Sequence, residues 1–337
     1  MQFRFAEAER LYRQAQDEAN ALPAGTHSAG NAIGAVHAAA RSAALFGLGD
    51  LCRKMGRHAE SEKILREALA LREAQLGSDH PDTAAVVRSL AQLFSEAGRF
   101  PDSVRFARRS LAAWQKLRGP HSAEYAAALN TLGGLQRALG EFDDAEETIN
   151  RALSIAEKAA GPDSPAAAAV LNNLGMLYVS QRRTVRAEQT FRRSLEIREH
   201  ALGRDHPDVA ASLNNLAARL SGRGETYDAE KMLKRALRIF EKTYGPHHPQ
   251  TANTLNSLAM NYLAKNEAVH AEPLVRRALA IFEKTFGPHH LQVAAELANY
   301  AGVLRRLGRD PEAEPLEARA AQIRARNNVP RPGARPQ

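Results

Sequence analysis

The chain has 337 residues, with 46 Lys and Arg against 38 Asp and Glu, 44% hydrophobic and 6% aromatic residues, and one cysteine. This is the composition of an ordinary soluble helical protein, and a lone cysteine excludes an internal disulfide. The opening MQFRFAEAERLYRQAQ has neither an apolar signal core nor a membrane-spanning run, so a cytoplasmic location without a membrane partner is expected.

In chain order, residues 3–20 read as a helix, with Ala8 and Ala15 seven apart. It is either a cap or the second helix of a truncated repeat. An Ala, Gly and Ser-rich stretch from Ala21 to about Ala35 follows, and residues 1–37 are taken together as a leading helix and its connection. From residue 38 to 327 the chain is periodic. Gly77, Gly119, Gly161, Gly203, Gly245 and Gly287 recur every 42 residues. Gly56, Gly98, Gly140, Arg182, Gly224, Asn266 and Gly308 form a second series, which predicts left-handed turns, with Arg182 the residue out of character. The segments between run to about 20 residues with apolar spacing of three and four, so each period is a helix pair. The final segment, 328–337, is Pro- and Arg-rich without periodicity and is expected to be disordered.

Repeats counted from Ser42, Ala84, Ala126, Ala168, Ala210, Ala252 and Ala294 carry Gly, Ala or Ser at positions 8, 20 and 27 in every copy. Such positions mark places where helices cross too closely for a large side chain. Cys52, at position 11 of the first repeat, is read as a packed thiol.

The fourth copy, with Leu171, Leu174, Gly175, Tyr178, Ala187, Phe191 and Ser194, resembles the tetratricopeptide repeat (TPR) signature. The wording LNNLG, AEQTF, RRSLEI and LGRDHP resembles the 42-residue variety found in kinesin light chains. Glu199 stands where the family's late proline would fall, so the second helix is expected to run on to Leu202. The resemblance implies an all-α fold: a right-handed superhelical solenoid of antiparallel helix pairs, here a TPR array of seven repeats read as one domain. Armadillo and HEAT arrays have similar periods but give no reason for small residues at these intervals.

No catalytic residue, metal site or cofactor is assigned. Neither GxSxG nor a phosphate-binding glycine loop occurs, and the inter-repeat histidines His80, His121, His206, His247, His248, His289 and His290 lie on successive hairpins rather than around one point. Asp79, Asp163 and Asp205 are expected to cap the following helices, with prolines at 81, 165, 207 and 249 in the first turns. The paired cations Arg108–Arg109, Arg192–Arg193, Lys234–Arg235 and Arg276–Arg277 recur in register on the second helices, which offers a basic stripe for nucleic acid. Glu188, Glu230 and Glu272 sit four residues earlier, in the favourable order for intrahelical pairs, and nucleic acid is not the expected partner.

The resemblance further implies that positions 2, 5, 9, 12 and 13 of each first helix face a concave groove. Position 5 is Phe46, Arg88, Asn130, Asn172, Asn214, Asn256 and Ala298. A row of four carboxamides suits an extended peptide backbone, and the same amides alternatively bond to one another to fix the helix stacking. Met176, Val179, Met260 and Leu263 are candidate apolar pockets, and Arg53, Lys54, Arg137, Arg305 and Arg306 candidate carboxylate or phosphate contacts. The expected activity is a non-catalytic scaffold that binds an acidic, partly apolar linear motif of a partner protein. A basic nucleic-acid-binding solenoid and a sensor or regulatory arm of a larger signalling system are the alternatives. Chaperone-tail and kinesin association find no support in the residues.

Overall fold

A computed structural model describes residues 30–326 together with Arg10, Tyr12, Arg13, Gln14 and Asp17, with side chains described for those five and from Ala39 onward. The tail expected to be disordered, 328–337, and most of the leading helix lie outside the described residues. The chain divides into two compact units, 2–204 and 205–337.

The first unit holds four helix pairs: α1 (Gly30–Lys54) with α2 (His58–Leu76), α3 (Pro81–Glu96) with α4 (Phe100–Arg118), α5 (Ala123–Leu139) with α6 (Phe142–Ala160), and α7 (Pro165–Ser180) with α8 (Thr184–Leu202). The second holds three: α9 (Pro207–Gly222) with α10 (Thr226–Tyr244), α11 (Pro249–Ala264) with α12 (Ala268–Phe286), and α13 (Leu291–Arg306) with α14 (Asp310–Arg326). Helix α1 begins at Gly30, inside the stretch expected to be a connection, because its alanines favour helix. Tyr12 packs against the core of the first pair, and Arg13 bonds Glu60 at 2.7 Å.

The two glycine series adopt two different backbone states. Gly77, Gly119, Gly161, Gly203, Gly245 and Gly287, which end the second helices, have φ of 82–95° with ψ of 154–170°. Only glycine occupies that region readily. In the other series Gly140 is left-handed, with φ 85° and ψ 6°. Asn266 and Arg182 both take φ 60°. The left-handed region admits a side chain at a cost, which is why this series departs from glycine twice and the first does not. Helix α8 does run to Leu202, ended by Gly203.

The helix starts correct one expectation. The caps are the residues after the aspartates. His80, His206, His248 and His290 accept through Nδ1 from the amide two residues on, at 3.1–3.2 Å, and Ser122 and Ser164 accept through Oγ from the third residue at 3.2 Å. Glycine ψ near 160° swings the chain so that the third residue past it, not the second, reaches the helix start. Asp79 and Asp205 instead bond Lys116 and Lys242.

Close helix crossing accounts for the small positions. A Cβ on Gly133 would lie 2.5 Å from Ile149, and one on Gly175 2.6 Å from the Phe191 ring. Serines at the other crossings bond across them: Ser61 Oγ donates to the Gly49 carbonyl at 2.8 Å, and Ser194 Oγ to the Ala168 carbonyl at 2.8 Å. The cores between are filled by Leu, Ile and Val around the fully buried Phe94, Phe191, Phe240 and Phe282, and Cys52 is buried among them.

Candidate functional site

Within each unit the first helices of successive repeats adjoin: α5 touches α3 and α7, and α11 touches α9 and α13. Position 5 lies on that face, and its amides bond from one repeat to the next. Asn173 Nδ2 donates to Asn130 Oδ1 at 2.9 Å, and Asn299 Nδ2 donates to Asn256 Oδ1 at 3.1 Å. Asn214 Nδ2 donates to Thr254 Oγ1 at 2.7 Å, leaving its Oδ1 buried without a partner. Asn172 is half-buried at the equivalent place on α7. The inter-repeat role anticipated for these residues is present in both units, through a donor at position 6 or an acceptor at position 3 of the next repeat.

The apolar candidates are half-buried. Met260 and Leu263 pack against the cluster of Ala259, Ala271, Val275 and Val303. Met176 and Val179 are partly exposed on α7.

The basic candidates divide. Arg53, its side chain 12% exposed, bonds Asp50 at 2.9 Å and also Glu96, while Lys54 reaches Asp50 at 3.0 Å. Burial raises Glu96 despite Arg53 beside it. Arg305 bonds Glu317 at 2.7 Å and Asp310 at 3.0 Å, and Arg306 contacts Asn266 Oδ1 at 3.4 Å. Arg137 stands apart. It is half-buried, burial lowers its pKa, and no carboxylate pairs with it among the described residues.

Arg88, the position-5 residue of α3, shares that condition and was not singled out from the sequence. Burial is the main influence lowering its pKa, Asp50 and Glu124 act on it only through space, and its Nε is buried without a hydrogen-bond partner. Its departure from asparagine at position 5 was the available signal.

The basic stripe is largely neutralised. The first member of three of the four pairs meets a carboxylate four residues back on its own helix: Arg192 with Glu188 at 2.8 Å, Lys234 with Glu230 at 2.6 Å, Arg276 with Glu272 at 3.7 Å; Arg108 has Val104 at that place. The second member reaches the previous repeat: Arg193 to Glu157 at 2.8 Å, Arg277 to Glu241 at 2.7 Å, and Arg109 to Glu73. Glu230 also accepts from Lys265 at 3.0 Å and Tyr262 Oη at 3.1 Å, and these donors, Lys234 foremost, hold its carboxyl at about 2.

Among the described residues no helix is long and apolar enough to cross a membrane.

A family model described as Tetratricopeptide repeat matches residues 40–116, 101–158, 124–200, 166–242, 208–284 and 268–326. No curated protein matches the chain. Among solved structures, BtubC (BKLC) from P. vanneervenii is similar at 25% identity and TM-score 0.54, over 72% of this chain and 94% of that one. A putative kinesin light chain with nearly identical TPR-like repeats from Podosopora anserina is 23% identical at TM-score 0.50, over 60% and 95%. The Rap conjugation gene regulator of the plasmid pLS20, in complex with the Phr* peptide, is 14% identical at TM-score 0.67, over 86% and 76%.

Proposed function

This chain belongs to the tetratricopeptide repeat family, and from that premise we propose that it is a non-catalytic interaction scaffold that holds an extended, acidic segment of a partner protein against its first helices. The observation that carries this reading is the contrast among the basic residues. Six of the eight paired cations of the second helices are engaged in ion pairs, whereas Arg88 and Arg137, both on first helices, are half-buried without a carboxylate. A partly desolvated guanidinium without a partner is costly, and a bidentate carboxylate offsets that cost.

The amides beside them on α5 and α7 supply sequence-tolerant contacts for a peptide backbone. Support for a peptide as the ligand class comes also from the architecture, since the pLS20 regulator of the same fold is seen with the Phr* peptide. In the paired series of the second helices the ion pairs leave little free charge for nucleic acid, which speaks against that stripe as a nucleic-acid surface.

The test is selection from a random peptide display library on immobilised protein. Enrichment of Asp and Glu, lost in the Arg88→Ala, Arg137→Ala double variant, is the expected result. Selection that ignores acidic residues, or that survives in the folded double variant, would overturn it.

A further inference from the structure

Position 3 of the repeat is buried in every copy, as Ala44, Val86, Ala128, Val170, Ser212, Thr254 and Glu296. Six are small or apolar, and the seventh is an acid that is 2% exposed. Glu296 lies on α13 beneath the amide row of the second unit. Its Oε2 accepts from Asn299 Nδ2 at 3.3 Å, the same nitrogen that donates to Asn256 Oδ1 at 3.1 Å, and its Oε1 is buried with no partner. Thr254 shows what an acceptor does at this place. It stands 40 residues after Asn214, as Glu296 does after Asn256, and takes the Asn214 amide proton at 2.7 Å.

We propose that Glu296 is a proton-operated element under the groove of the second unit, and that gain or loss of its proton resets the Asn299–Asn256 bond and with it the surface a ligand meets. Ionised, the carboxylate draws the Asn299 amide into a charge-assisted bond and places a negative charge beneath the row. Protonated, it becomes a hydroxyl donor, and Asn299 is left to Asn256.

The titration falls in the useful range because burial pushes the carboxyl up to about 7, with only the Asn299 bond opposing it. The charged groups that the neighbouring helices turn toward α13 are engaged elsewhere: Glu272 of α12 accepts from Tyr300, Glu317 of α14 pairs with Arg305, and Arg324 of α14 donates to the Ala294 carbonyl. Helix α11 presents the neutral Asn256. On α13 itself, His290 is committed to the helix cap. None of these charges acts on Glu296. The consequence for binding rests on the groove reading above: an acidic segment laid over the row buries Glu296 further and is repelled by its ionised form, so capture takes up a proton and strengthens as pH falls.

The proton-driven switch is tested without ligand, so its failure and that of peptide capture are distinguishable. Side-chain amide resonances of Asn256 and Asn299 are followed by NMR from pH 5.5 to 8.5, with Asn130 and Asn173 as the same contact lacking an acid. The Asn256 and Asn299 signals are expected to move through one transition near pH 7. That transition should vanish in Glu296→Gln and in Glu296→Thr, which copies Thr254, while Asn130 and Asn173 stay flat. Flat Asn256 and Asn299 signals, a transition that persists in both folded variants, or an equal movement at Asn130 and Asn173 would each overturn the proposal.

Discussion

Replacing Glu296 by Gln removes a buried charge while keeping the side chain's size and its acceptor for Asn299. In the wild type the carboxyl is raised from 4.5 to about 7 by burial. The folded state therefore holds the proton more tightly than the unfolded chain, and stability is greatest below 4.5 and falls as pH rises through that interval. At about 1.4 kcal/mol per pH unit the full loss is about 3 kcal/mol, of which somewhat under 1 kcal/mol has already gone at pH 5. Urea unfolding of wild type and Glu296→Gln at pH 5 and pH 8.5 measures the difference directly. The advantage of the variant is expected to grow by about 2.5 kcal/mol between the two pH values. Groups common to both proteins, His290 included, cancel in that comparison. A difference that stays constant with pH would mean that Glu296 does not change its charge on folding in this range, and the reasoning from its burial would be refuted.

Gly161→Ala puts a Cβ where nothing lies within 4 Å, so its cost is that of the backbone state alone, about 1–3 kcal/mol by calorimetry. Arg182→Gly goes the other way: relief at φ 60° outweighs the added chain entropy, for a gain of about 0.5 kcal/mol in the same assay. Gly175→Ala drives a methyl group into the Phe191 ring and should cost about 1–3 kcal/mol in thermal unfolding. His290 caps α13 only while neutral, and burial lowers its pKa. Its contribution, about 1 kcal/mol, is present above 6.5 and lost as pH falls below it, and His290→Ser should retain the cap and abolish that loss.

The repeat was legible because its markers are backbone constraints. A glycine forced by φ near 85° and ψ near 160° recurs at every repeat end, and a helix crossing that would set a Cβ 2.6 Å from a ring keeps its position to Gly or Ala in every copy. The caps were misread because any acceptor serves a helix start, and the sequence offers both Asp and His or Ser in adjacent places; the chain's path after glycine decides between them. The basic stripe was half legible. Partners four residues back are visible in one helix, whereas Glu157, 36 residues before Arg193, becomes a neighbour only when repeats stack. Arg88 and Glu296 were legible as departures at positions 5 and 3, but the significance of a departure depends on burial, which the sequence does not state.

The amide row raises the question whether residues that hold repeats together have capacity left for a ligand. A carboxamide offers two donor hydrogens and two acceptor positions. Asn130 spends one acceptor position on Asn173, and Asn256 one on Asn299, so stacking consumes a minority of what each can form. Arg88 has no such structural bond. The two kinds of residue therefore separate experimentally. Asn130→Ala removes an inter-repeat bond and a proposed ligand contact together, and should lower stability by about 1 kcal/mol while weakening peptide capture. Arg88→Ala removes a half-buried cation without a carboxylate, so stability should hold or rise while capture of acidic peptides falls. If Arg88→Ala destabilised the protein and left capture unchanged, the unpaired cations would belong to the fold, and the reading of this face as an acidic-peptide site would fail.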